Sequence, residues 1–335
     1  MRLKWNPSLR KRSLLTLLDV SDTEMLDLIN LAVALKARRR AGVRGDLLHR
    51  RQIALIFEKS STRTRCASSV AVREEGGSAE YLARNDIHLG SKESVADTAR
   101  VLGRMFDGIL FRGFSQRVVE GLARYAGVPV WNGLTDDYHP TQVLADLMTI
   151  QENFGRLRGL TLAYVGDGRN NVANSLMIGC AKAGVHFVNC TPPELVPAAE
   201  LVEQTRAVAA RNGATITIGH DPLASVRGAN VLYTDVWVSM GEEDQRASRM
   251  ALLAPYQVNA RLVAATGNSG SGLIFLHCLP AFHDDQTAVT RETGALEVSD
   301  EVFEAPYSKV FDQAENRMHT IKALMVSALA DPDAP

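Results

Sequence analysis

Cysteine is scarce in this chain: four in 335 residues, Cys66, Cys180, Cys190 and Cys278. None stands in CxxC or CxxH spacing, which argues against a zinc framework, and nothing suggests a disulfide scaffold; reduced thiols in a cytosol are expected. An excess of charge of either sign is also missing. Lys and Arg total 37 against 38 for Asp and Glu, so no global field would gather nucleic acid, and any anion site must be local. No uncharged apolar stretch is long enough for a bilayer. The best candidate, Leu262 to Phe282, is broken by Gly, Ser and Asn, and Met1 to Arg12 lacks the apolar core of a signal peptide. A soluble, cytoplasmic protein without membrane or nucleic-acid partners is the expectation.

A chain of this length suits two domains of about 150 residues each. Short apolar runs alternate with helical segments almost throughout, the pattern of parallel sheets flanked by helices, so the fold class is α/β with two parallel-sheet domains. In the first half, strands are predicted at Gln52–Phe57, Ala79–Leu82, Gly108–Arg112 and Val128–Asn132, with helices near Arg63–Glu75, Lys92–Phe106 and Gln116–Tyr125. In the second, strands are predicted at Leu160–Val165, His186–Cys190, Thr215–Ile218, Val231–Asp235 and Leu273–Leu279. A connecting helix over Tyr138–Phe154 puts the boundary near residue 150, giving domains at 1–150 and 151–315, with a last helix from about Asn316 to Leu329. The basic run Lys36-Ala37-Arg38-Arg39-Arg40, continued by Arg44, His49, Arg50 and Arg51, carries no interleaved aromatic residue and reads as a solvated helix end.

In sheets of this kind ligands sit beyond the carboxyl ends of strands, so the residues just after each strand carry the functional reading. Ser61-Thr62-Arg63-Thr64-Arg65 follows an apolar strand and opens a helix, where free N–H groups and the helix dipole favour an anion. Three hydroxyls and two guanidinium groups there make a phosphate seat, although a lone Ser or Thr is equally an N-cap. Arg112 closes a strand and can reach the same ligand. His139-Pro140-Thr141-Gln142 opens the connecting helix with both polar side chains on one face, and His139 by itself serves equally as a cap. Gly166-Asp167-Gly168-Arg169-Asn170-Asn171 lacks the third glycine of a dinucleotide turn and any Walker lysine, so paired asparagines at a helix start point to the carboxylate of a small ligand. Asp235, at another strand exit, suits an ammonium group, with Gly241 permitting a mobile loop. His277-Cys278-Leu279-Pro280 ends the last strand; adjacent residues face opposite ways, which disfavours a Cys–His nucleophile pair and leaves the carbonyls of Cys278 and Leu279 as acceptors. Arg317 adds a cation.

Taken together these runs resemble the aspartate/ornithine transcarbamoylase family over essentially the whole chain. Ser61 to Arg65 and His139 to Gln142 match its carbamoyl phosphate motifs, while Asp235 with Ser239-Met240-Gly241, and His277 to Pro280, match the signatures of its ornithine branch. The resemblance implies a carbamoyl phosphate-binding domain and a Rossmann-like ornithine-binding domain joined by interdomain helices, the last helix returning to the first domain. It implies carbamoyl transfer from carbamoyl phosphate to the side-chain amine of L-ornithine, giving citrulline and phosphate, with no cofactor and no metal. Ser61, Thr62, Arg63, Thr64 and Arg112 would bind phosphate; His139, Gln142 and Arg317, with the Cys278 and Leu279 carbonyls, would hold the carbamoyl end. Asn171, Asp235, Ser239 and Met240 would bind ornithine, and Arg112, His139 and Cys278 would act in catalysis. His88, where many relatives carry Gln, would reach a neighbouring subunit's site, implying a homotrimer with shared sites. Another amine acceptor, such as putrescine or an N-acylornithine, and a non-catalytic ligand-binding homologue are the alternative readings.

Overall fold

The computed structural model describes residue 3, residues 5–238 and residues 243–331. These fall into two compact units, Met1–Met148 with Glu315–Pro335, and Thr149–Ala314. The first opens with helix α1 (Asp22–Arg40), whose capping box places the Ser21 hydroxyl on the Glu24 N–H and the Glu24 carboxylate on the Ser21 N–H. Its sheet has four parallel strands, β1 (Gln52–Phe57), β2 (Ser78–Ala83), β3 (Gly108–Arg112) and β4 (Val130–Leu134), in the order β2-β1-β3-β4. Helices α2 (Thr62–Glu74), α3 (Val95–Met105) and α4 (Gln116–Tyr125) connect them. Ile53 to Phe57 and all of β3 are buried, as expected of strands covered on both faces. Ala54, Ile56, Ile109, Phe111 and Val130 pack with Val119 and Leu122 of α4 into one core.

The second unit carries five parallel strands, β5 (Thr161–Val165), β6 (His186–Cys190), β7 (Ile216–Gly219), β8 (Val231–Thr234) and β9 (Ile274–His277), in the order β7-β6-β5-β8-β9. Helix α5 (Pro140–Phe154) precedes it, α6 (Asn171–Ala183) and α7 (Ala199–Arg211) lie within it, and the C-terminal helix spans Val310–Leu329. Each sheet reverses its winding direction once, between β1 and β3 in the first unit and between β5 and β8 in the second. At such a switch point the connections diverge and a crevice opens at the carboxyl ends of the strands.

Most boundaries that differ from the sequence reading, such as those of β2, β5, β7, β8, α2 and α3, shift by one to three residues, and three departures have a plain physical reason. β4 starts at Val130 because Pro129 has no N–H to give to the ladder, and it runs on to Leu134 through a register slip between Phe111 and Arg112 that leaves Gly133 bulged. β9 stops at His277, two residues short of the expectation, because Leu279 turns to φ 58° ahead of Pro280. The last helix begins at Val310, six residues early, where the buried Gln313 accepts from the His277 backbone N–H and donates to the Tyr233 hydroxyl. Lys36 also departs from the reading of a solvated basic run: it is 4% exposed and donates to Asn316 Oδ1 at 2.8 Å. No helix among the described residues is long and apolar enough to cross a membrane.

Candidate active site

At the switch point of the first unit, the chain leaves β1 through Glu58 to Ser60 and enters α2 with Ser61 as its N-cap. The Ser61 hydroxyl oxygen accepts from the Thr64 N–H at 3.1 Å, so the capping role and the anion-seat reading fall on the same residue. Thr62 is exposed, Arg63 half-buried and Thr64 buried. Arg65 leaves the group: its guanidinium lies 3.7 Å over the Tyr81 ring. Arg112 ends β3 beside the end of β1, paired in register with Phe57, and is 8% exposed. His139 precedes α5 and is buried; Thr141 Oγ1 lies 3.4 Å from its Nδ1.

Arg317 ties these loops together. Its Nη1 donates to Gln142 Oε1 at 2.6 Å and its Nη2 to Thr64 Oγ1 at 3.1 Å, joining residues 175 and 253 positions apart in sequence. Gln142 in turn donates from Nε2 to the carboxylate of Asp146 at 2.8 Å. A further tie comes from Lys59, buried, which pairs with Asp136 at 2.5 Å and sits 4.4 Å over the Phe114 ring, linking the loops after β1, β3 and β4. Neither Asp146 nor Lys59 was singled out from sequence. Asp146 stood four residues from Gln142 and seven from His139, on the same helical face, which was the available signal. His88 lies exposed in the turn after β2, its carbonyl accepting from the Ser91 and Glu93 N–H groups. Among the described residues no contact joins its ring to the others.

Burial, then the charges of Arg317, Arg112 and Arg63, hold the His139 imidazole well below its ordinary value of 6.5. The ring is therefore neutral at physiological pH and offers hydrogen bonds, not charge. The unfolded chain takes up this proton near 6.5 and the folded one resists it, so stability is complete above 6.5 and is lost as pH falls below it. His319, also lowered by burial, contributes in the same sense and cancels on comparison with a His139 variant. Chemical denaturation between about pH 7 and about pH 5.5 is expected to show a shallower loss of stability in His139→Gln than in the parent chain; parallel curves would remove the assignment.

In the second unit, Gly166 follows β5 with φ 144° and Gly168 packs so tightly that a Cβ would come within 2.7 Å of the Leu195 carbonyl and 2.8 Å of Asn189 Oδ1. Asn170 caps α6 by accepting from the Val172 N–H at 2.7 Å, and Asn171 begins that helix. Asp167 is neutralised by Arg169 and by the buried Arg249. Asp235, 6% exposed at the end of β8, has no described cation against it: its Oδ1 accepts from the Val236 N–H at 2.8 Å and from the Cys278 thiol at 3.0 Å. The negative field of this region is felt by Tyr164, whose buried hydroxyl is pushed well above its ordinary value by burial and then by Asp235, Asp167 and Cys278. Ser239 and Met240 lie outside the described residues.

His277, Cys278 and Asp235 place ligand atoms within 4.8 Å of one another, but the imidazole does not fit a metal. Its Nδ1 accepts from the Leu279 N–H at 2.9 Å, which makes Nε2 the N–H that donates to Glu297 at 3.2 Å. Both ring nitrogens are committed to shaping the turn that carries Cys278 and Leu279.

Residues 12–152 match the carbamoyl-P binding domain of aspartate/ornithine carbamoyltransferases and residues 158–328 match the Asp/Orn binding domain of the same enzymes. A catabolic ornithine carbamoyltransferase of Bacillus licheniformis is 55% identical over 332 residues, 97% of this chain and 98% of its own length. An ornithine carbamoyltransferase of Streptococcus pneumoniae is 54% identical over the same shares. A solved structure of an ornithine carbamoyltransferase from Pyrococcus furiosus superposes with a TM-score of 0.89 at 41% identity over 96% of this chain and 98% of that one. With both domain models matched in order and relatives more than half identical along nearly the whole length, the chain belongs to the aspartate/ornithine carbamoyltransferase family.

Proposed function

We propose that the protein transfers the carbamoyl group of carbamoyl phosphate to the side-chain amine of L-ornithine, releasing L-citrulline and phosphate. The observation that carries this reading is the convergence of Arg63, Arg112 and Arg317 on the buried, neutral His139 at the switch point of the first unit. A dianionic phosphate and a carbonyl that gathers negative charge as it is attacked call for this set of cations and hydrogen-bond donors. Ser61, Thr62, Arg63, Thr64 and Arg112 bind the phosphate. His139, Gln142 and Arg317, with the Cys278 and Leu279 carbonyls, hold the carbamoyl group, and Arg112 and His139 donate to its oxygen.

Asn171, Asp235, Ser239 and Met240 take the amino-acid end of ornithine, Asp235, which has no described cation against it, receiving the α-ammonium group. The attacking amine has a free pKa of about 10.4 and must lose its proton first, which nearby cations and exclusion of water favour. Cys278, whose thiol is already oriented by Asp235, and the Leu279 carbonyl align that amine. His88 completes the site of a neighbouring subunit in a cytoplasmic homotrimer. Purified protein mixed with carbamoyl phosphate and ornithine is expected to form citrulline and phosphate in equal amounts, and to sediment at three chain masses. Absence of citrulline over a full concentration series of both substrates would overturn the assignment.

A further inference from the structure

The amide of Gln142 stands between a group that can only donate and one that can only accept. Arg317 gives Nη1–H to Oε1 at 2.6 Å, and Asp146, fully buried about two helical turns beyond His139, takes Nε2–H at 2.8 Å. A guanidinium has no lone pair to accept with and a carboxylate no hydrogen to give, so only one of the two amide orientations satisfies both neighbours. We infer that Asp146 is a positioning residue for carbamoyl phosphate: it locks the Gln142 amide with its oxygen toward Arg317 and thereby holds Arg317 on Thr64. The inference rests on the carbamoyl-transfer reading and adds to it a residue that touches no substrate.

Burying a carboxylate in a helix whose neighbours on either side, Ala145 and Leu147, are apolar and fully buried is costly. A purely structural side chain at this position would be met by an apolar residue at less expense. What the carboxylate adds is direction. Asn at position 146 has almost the same shape but presents either its oxygen or its NH2, so Gln142 is free to turn over and face Arg317 with its own NH2, donor against donor.

Asp146→Asn is expected to lower kcat/KM for carbamoyl phosphate on the order of tenfold or more, the effect of losing one charge-assisted bond in a buried network. Ornithine KM at saturating donor is expected to change less than threefold, and calorimetric affinity for inorganic phosphate to fall in parallel, a readout that needs no acceptor. The decisive comparison is a double-mutant cycle with Gln142→Met: if Asp146 acts through Gln142, adding Asp146→Asn to Gln142→Met costs less than about twofold more. Multiplying effects, or an Asp146→Asn enzyme within twofold of the parent, would overturn the inference while leaving citrulline formation by the parent intact. Should Asp146→Asn not fold, the exchange of Gln142→Glu together with Asp146→Asn decides, since it keeps donor facing acceptor and one negative charge in the network. Recovery of phosphate affinity relative to Gln142→Glu alone supports the positioning role, and no recovery refutes it.

Discussion

Arg63→Ala lowers citrulline formation about a thousandfold and leaves the melting temperature nearly unchanged. The two halves of this expectation come from the same feature. Arg63 occupies the first turn of α2, a turn with no acidic residue of its own, where the helix dipole already presents positive charge. A cation there is disfavoured locally, so its removal costs the folded state at most a few tenths of a kcal/mol. In the proposed reading the same placement brings a guanidinium to the dianion, together with Arg112 and Arg317, whose charges add to burial in holding the His139 imidazole below its ordinary value. Losing one of these charges removes stabilisation where it grows during the reaction. Arg112 is the less clean test, because it is buried at the end of β3 and its truncation also disturbs packing. Steady-state rates of Arg63→Ala close to those of the parent, at saturating substrates, would end the role given to this arginine.

Asp235→Ala is expected to raise the KM for ornithine about a hundredfold or more while moving that for carbamoyl phosphate less than threefold. The carboxylate is buried, its described partners are a backbone N–H and a thiol, and the nearby acid, Asp167, is already matched by Arg169 and Arg249. An ammonium ligand therefore finds its counter-charge at Asp235 and not at Asp167. Asp235→Asn keeps the shape and the acceptor for Cys278 and separates charge from packing. Equal losses for both substrates would sink the division of labour between the two units.

Much of the fold could be read from the chain because strand burial leaves a plain mark: β1, β3, β6 and α4 begin and end where the apolar runs and turn residues put them. Misplacements occurred where a single residue overrode the pattern, as with Pro129 and Gly133 at β4 and the φ of Leu279 at β9. Side-chain partnerships were less accessible. The bonds from Arg317 to Thr64 and Gln142 depend on long-range closure that no local spacing encodes, so Arg317 entered only as an extra cation and through family resemblance. Lys36 shows the converse. Within a basic run it had the look of a surface residue, and its burial makes sense once its distant partner Asn316 is known. Asp146 and Lys59 went unremarked because a place on the same helical face as a motif, or beside one, does not mark a charge as buried until its partner is located.

The capping bond of Ser61 has a consequence for which ionic form is retained. With its oxygen taken up by the Thr64 N–H, the hydroxyl has its hydrogen left to offer, and the guanidinium groups nearby can only donate. If the proposed phosphate seat is right, a guest bringing lone pairs meets mostly donors, whereas one that still carries an acidic proton finds few lone pairs left on the hydroxyl oxygens. Retention is then expected to strengthen as the guest sheds its last proton.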